Sequence, residues 1–129
     1  MPMTRITVQE GRSMAELHQL QDILHQTLVD EFDVPAADRF QIVDIKPAAQ
    51  LSYDRHYMTG ERSAAFTLFE ITAGKPRCLE QKRALYRTLT ARLVETLGMR
   101  PDDIMIVIQF TASEDWCFGM GQGLEGGVR

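Results

Sequence analysis

The residue with the most unusual chemical potential in this chain is the second one. In Met1-Pro2-Met3-Thr4-Arg5-Ile6-Thr7-Val8-Gln9, Thr4, Ile6 and Val8 alternate with Arg5, Thr7 and Gln9. That alternation of β-branched and polar residues is a strand pattern. Removal of Met1 would leave Pro2 as a free secondary amine held at a strand end. An α-amino group titrates at about 7.7–8.0. Neighbouring cations or an apolar wall lower that value, because both disfavour the charged form. A neutral proline nitrogen can then take a proton or attack a carbonyl. Retention of Met1 makes the same nitrogen a tertiary amide that does neither. The structural alternative is that Pro2 merely opens an edge strand, where proline is tolerated.

A second group of residues could hold an anion. Lys75 and Arg77 stand just ahead of a helical stretch that begins near residue 79. The unsatisfied amides of a helix start and the positive end of its macrodipole already favour negative charge there. Two cations at that place fit a carboxylate or phosphate; the alternative is two solvated basic side chains at a turn. Other residue types offer less. His18, His25 and His56, with Cys78 and Cys117, show no zinc spacing. The glycines of Phe118-Gly119-Met120-Gly121-Gln122-Gly123 open no helix, which disfavours a dinucleotide loop. Trp116 and Phe118 instead suit a pocket wall or a subunit boundary.

The elements that must position these groups are legible from periodicity. Glu10-Gly11-Arg12 turns the first strand. Ser13-Met14-Ala15-Glu16 reads as a capping box, in which Ser13 accepts from the Glu16 amide and Glu16 reaches back. Leu20, Leu24, Leu28 and Phe32 fall at intervals of four, and with Leu17 and Ile23 predict a helix over about 14–32. His18 and His25 read as polar-face or boundary residues of it. Phe40 to Ile45 is a second strand and Phe66 to Thr72 a third. Lys46 to Ser63 is a long excursion between them, and loops of that length are often functional. Helix two covers about 79–97 and is stopped by Gly98 in the usual left-handed role. Ile104 to Phe110 is almost unbroken in apolar character, which suits burial on both faces.

The two halves repeat with an offset of 65 positions. Leu20, Leu24, Leu28 and Phe32 match Leu85, Leu89, Leu93 and Leu97; Ile6 matches Ile71, Ser13 matches Cys78, and Asp38 matches Asp103. The chain therefore reads as an α/β (α+β) fold. It is a tandem β-α-β repeat, a four-stranded mixed sheet with two helices on one face. Helices of this length cross back over the sheet, so the strands within each unit should be parallel. The units span about 2–46 and 65–111 of a single domain, 1–129, with a C-terminal tail. Pro2 has no equivalent in the second unit, and Cys78 is a poorer helix cap than Ser13.

Composition narrows the function classes. A chain of 129 residues fits one domain with a real core. Its net charge of −4 carries no electrostatic footprint for nucleic acid. No apolar run is long enough for a membrane span, and no signal peptide is visible, since Arg12 and Glu16 interrupt the early chain. Two cysteines make no disulfide framework and fit a reduced, cytoplasmic setting.

Several segments then coincide in order: Pro2 at the head of a strand, Pro35-Ala36-Ala37-Asp38-Arg39-Phe40, Lys75-Pro76-Arg77, Glu80-Gln81-Lys82, and Asp115-Trp116-Cys117-Phe118-Gly119-Met120-Gly121. Together they resemble the tautomerase superfamily, most closely its malonate semialdehyde decarboxylase-like group, over essentially the whole chain. The resemblance implies a mature protein that starts at Pro2, a homotrimer, and a site around the amine with no cofactor and no metal. It implies catalytic roles for Pro2, Asp38 and Arg77, and substrate binding by Lys75 and Arg77. Lys75 stands where the family has a second arginine, so a planar bidentate fork is replaced by a point charge. Cys117 stands where the family usually has serine. Asp38 also has a structural reading, a turn shared with Asp103. Tyr53 and Tyr57 are further candidates for the pocket wall.

The expected function is a cofactor-independent tautomerase of small 2-oxo acids. Malonate semialdehyde decarboxylase or a related hydratase is the alternative. A non-catalytic trimer with Pro2 blocked by Met1 is the second alternative.

Overall fold

The computed structural model describes residues 2–124. Strand β1 (Pro2–Gln9) is followed by α1 (Met14–Phe32), β2 (Phe40–Lys46), β3 (Thr67–Ala73), α2 (Leu79–Leu97) and β4 (Ile104–Phe110). Short 3-10 turns lie at Ala48–Gln50, Pro101–Asp103 and Ser113–Asp115. Both helices keep the limits their leucine spacing predicts. The third strand begins one residue later than expected and runs on through Ala73, which pairs with Pro2.

The sheet order is β2-β1-β3-β4, parallel within each β-α-β unit and antiparallel where β1 meets β3. The repeat is carried into the register. Met3 pairs with Phe40 and Leu68 with Met105, each 65 positions on from its mate. Because the two units meet antiparallel, their equivalent ends lie at opposite ends of the sheet.

One face of the sheet is covered. Ile6 and Val8 of β1 and Phe69 and Ile71 of β3 pack against Leu20, Leu24, Leu28 and Phe32 of α1 and Leu85, Leu89 and Leu93 of α2. The helices are also tied to each other: Arg92 donates to Thr27 Oγ1 at 3.2 Å and to Asp30 at 2.7 Å. The other face is open in the protomer. Strand β4 alternates, with Ile104, Ile106 and Ile108 against the core and Met105 and Val107 exposed at 41% and 42%. This corrects the expectation of burial on both faces: in one chain, helices cover only one side.

The helix starts are asymmetric. Ser13 accepts the Glu16 amide at 3.1 Å as predicted, but the Glu16 carboxylate pairs with Arg12 at 3.3 Å rather than reaching back. Cys78 gives little through its thiol, and Gln81 compensates by accepting the Cys78 amide at 3.0 Å. Gly98 ends α2 at φ 64°, as expected. His25 is buried, not a surface residue of α1. Its Nε2 donates to the Ala36 carbonyl at 2.8 Å and ties the α1–β2 connection to the helix.

Candidate active site

Pro2 is buried and opens β1. The position is informative because β1 lies between β2 and β3 rather than at an edge. The edge-strand explanation of the proline therefore fails. It is accommodated as the first residue of an interior strand, where a missing amide hydrogen is tolerated. Register then identifies what shares its end of the sheet. Pro2 pairs with Ala73 at the end of β3, and Ala73 pairs with Phe110 at the end of β4. Beside it, Met3 pairs with Phe40, the first residue of β2, so Asp38 and Arg39 lead into the same end. The turn of 74–78, with Lys75 and Arg77, leaves β3 at that end.

Asp38 is 3% exposed, and its amide donates to the Pro35 carbonyl at 2.9 Å. Its repeat mate Asp103 closes the same turn on Arg100 at 3.0 Å. The two carboxylates diverge in use. Asp103, fully buried, accepts from the Ser63 amide and the Ser63 hydroxyl, each at 2.6 Å, and so ties the end of the 46–63 excursion to the fold.

Lys75 is exposed at the turn. Arg77 is half-buried and strongly engaged. Its Nε and Nη2 donate to the Phe32 carbonyl at 3.2 and 2.6 Å, and its Nη1 donates to the Lys75 carbonyl at 2.5 Å. The guanidinium also sits 5.1 Å from the centre of the Phe32 ring. Burial lowers its pKa, opposed by the charge of Asp33. Arg77 thus satisfies an orphan carbonyl at the C-terminus of α1 and keeps part of its donor set, since a guanidinium carries five N–H groups. No local pattern signals this tie to Phe32, because the two residues are 45 positions apart.

The tail completes this end. Thr111 donates its amide to the Ala73 carbonyl at 2.9 Å, and Trp116 Nε1 donates to Thr111 Oγ1 at 2.6 Å. Trp116 stacks on Phe118 with ring centres 5.3 Å apart. With Met3, Phe40 and Cys117 they line a pocket of about 230 Å³. Tyr53 and Tyr57 lie elsewhere: they line a pocket with Leu68 and Met105, toward the opposite end of the sheet. That corrects the expectation that they wall the proline site. The antiparallel junction of the two units sends the excursion to the far end.

The doubled β-α-β unit thus has an interior strand that opens on a buried proline, with basic residues and an aromatic pocket at that end of the sheet. A family model described as tautomerase enzyme matches residues 38–119. The chain is 34% identical over 122 residues to probable tautomerase YusQ of Bacillus subtilis (strain 168), covering 95% of this chain and 96% of that protein. It belongs to the tautomerase family of enzymes. Among solved structures it is similar to malonate semialdehyde decarboxylase, with 32% identity and a TM-score of 0.86 over 93% of this chain and 92% of that one. It shares its fold with a fused 4-OT symmetric trimer, with 24% identity and a TM-score of 0.75 over 95% and 94% of the two chains. No helix among the described residues is long and apolar enough to cross a membrane.

Proposed function

We propose that the chain is a cofactor-independent tautomerase of small 2-oxo acids, acting as a single domain through the Pro2 nitrogen once Met1 is removed. One observation carries this reading. Pro2 is buried at the head of an interior strand, at the sheet end that also receives Asp38, Lys75 and Arg77. Lys75 binds the substrate carboxylate, assisted by the N–H groups of Arg77 left over from its tie to Phe32. Both cations disfavour a charged proline nitrogen and so favour the base form. In ketonisation, Pro2 accepts the enol hydroxyl proton and returns it to the adjacent carbon, while the cations stabilise the enolate between the two transfers. Asp38 orients the amine. A general base of this kind contributes roughly 10²–10⁴-fold. The pocket of Met3, Phe40, Trp116 and Phe118 receives an aryl or alkyl side chain of the substrate.

Decarboxylation of a 3-oxo acid is the second reading, favoured by the similarity to malonate semialdehyde decarboxylase. That reaction needs the breaking bond aligned with the carbonyl π system, which a second bidentate arginine would impose better than Lys75 does. The test is a comparison of rates on one preparation with verified loss of Met1: ketonisation of enol phenylpyruvate against loss of carbon dioxide from malonate semialdehyde. We expect the first to be faster, and much faster turnover of malonate semialdehyde would reverse the assignment. The active form in this reading is a homotrimer in a reducing cytoplasm, in keeping with two exposed free cysteines.

A further inference from the structure

The repeat that builds the sheet also builds a pocket twice. Leu68 and Met105, paired across β3 and β4, are the repeat mates of Met3 and Phe40, paired across β1 and β2. Each couple shares its pocket with a stacked aromatic pair: Trp116 and Phe118 at the Pro2 end, Tyr53 and Phe66 at the other. Tyr53 is itself the repeat mate of Phe118. The second pocket has a volume of about 310 Å³ and is walled by Tyr53, Tyr57, Arg62, Phe66, Leu68 and Met105. That lies at the lower end of the range for small-ligand cavities, about 300–1,000 Å³.

The second pocket differs from the first in holding a buried cation. Arg62 is 9% exposed. Its Nη1 donates to the carbonyls of Asp54 and Tyr57 at 2.9 and 2.8 Å, and its guanidinium lies 5.7 Å from the centre of the Phe66 ring. None of the ion pairs among the described residues includes Arg62. Its buried Nε has no acceptor among them. Two acids lie near it without forming an ion pair with it. Asp54 lines the same pocket, and Asp102, its pKa lowered by hydrogen bonds from Thr59 and Gly60, is lowered further by the Arg62 charge. Asp54 accepts the His56 amide at 2.8 Å, and Asp102 accepts from Thr59 and from the Gly60 amide. Arg62 therefore lines the pocket with a guanidinium whose buried Nε has no acceptor among the described residues; a carboxylate drawn onto its Nε–Nη2 edge would supply one through two parallel hydrogen bonds. A buried donor left unpaired is destabilising, and a bound anion would remove that deficit.

We propose that this pocket binds a small organic anion, a monocarboxylate with a flat apolar body. The carboxylate sits on Arg62 and the body lies against Tyr53 and Phe66. The strand residue in the place of Pro2 is Thr67, a mid-chain amide with no free amine, so this pocket holds its ligand without turning it over. The inference stands independently of the reaction assigned to Pro2.

Phenylacetate is the probe, titrated into isotope-labelled full-length protein and followed by amide chemical shifts. Saturable shifts are expected at residues 51–57, 66–68 and 105. Arg62→Lys keeps the charge but not the fork and should weaken this binding roughly tenfold. Should Arg62 variants fail to fold, Leu68→Trp fills the pocket from the sheet and leaves Arg62 in place. It should abolish these shifts and spare any at the Pro2 end. The proposal is overturned by an absence of shifts at millimolar phenylacetate, as when a neighbouring copy occupies the pocket. It is equally overturned by shifts confined to the Pro2 end, or by shifts at the second pocket that survive Leu68→Trp.

Discussion

At the scale of single residues, the proposed chemistry reduces to one amine and two cations in different states. Pro2 acts only if its nitrogen is free. A protein verified by mass to retain Met1 should lose activity on enol phenylpyruvate by roughly 10²–10⁴-fold, and full activity in such a protein would refute the role. Lys75 and Arg77 are not equivalent. Lys75 is exposed at its turn, whereas Arg77 is held by the Phe32 carbonyl and ring. Arg77→Ala should therefore cost activity and stability together. Leaving the Phe32 carbonyl without its charged partner costs about 1 kcal/mol at this half-buried site, measurable by urea unfolding. Loss of activity with unchanged stability would mean that the tie to α1 contributes nothing. Lys75→Arg should raise malonate semialdehyde decarboxylation more than enol ketonisation, because a fork adds directional control that proton transfer does not need.

At the scale of elements, the long excursion between β2 and β3 is held by carboxylates of the turn before β4. Asp102 takes the Thr59 hydroxyl and the Gly60 amide, and these hydrogen bonds hold its pKa below the ordinary 3.8. The unfolded chain titrates at the ordinary value. The stabilising contribution of Asp102 is thus complete above pH 3.8 and is lost as pH falls through the lower folded value. Asp102→Asn should be less stable than the parent at neutral pH, with the gap closing only below that range. A gap that stays constant across an unfolding series down to pH 2 would exclude this linkage. Helix α2 ends on Gly98 at φ 64°, and Gly98→Ala should cost about 1 kcal/mol for want of a left-handed conformer.

At the scale of the whole molecule, the imbalance between the two sheet faces sets the expectation. The helix-covered face is packed, and Leu89→Ala, at a fully buried position, should cost about 2–5 kcal/mol. The opposite face leaves Met3, Ile42, Met105 and Val107 exposed. A sheet with one apolar face open calls for a cover. The expected cover is the trimer, and light scattering at micromolar concentration should report three times the mass of the chain. A stable, well-folded monomer would remove that explanation of the open face.

Much of this protein is legible in its sequence because the signals are local or periodic. The leucines at 20, 24 and 28 and at 85, 89 and 93 determine both helices, since apolar residues four apart must share a face. The 65-residue offset determines that one unit is built twice, and the register of Met3 with Phe40 and Leu68 with Met105 follows it. Other features depend on neighbours far away in the chain. The alternation of Met105 and Val107 with buried isoleucines was hidden by an unbroken apolar run, because composition does not tell which face a helix covers. His25 finds its acceptor only when the α1–β2 connection folds back over it. Whether Pro2 opens an edge or an interior strand was decided by β3 pairing antiparallel along β1. That same junction carries Tyr53 and Tyr57 to the far end of the sheet, away from the proline. Arg77 was legible as a cation beside a helix start; its tie to Phe32 was not, because only packing brings the end of α1 to that turn.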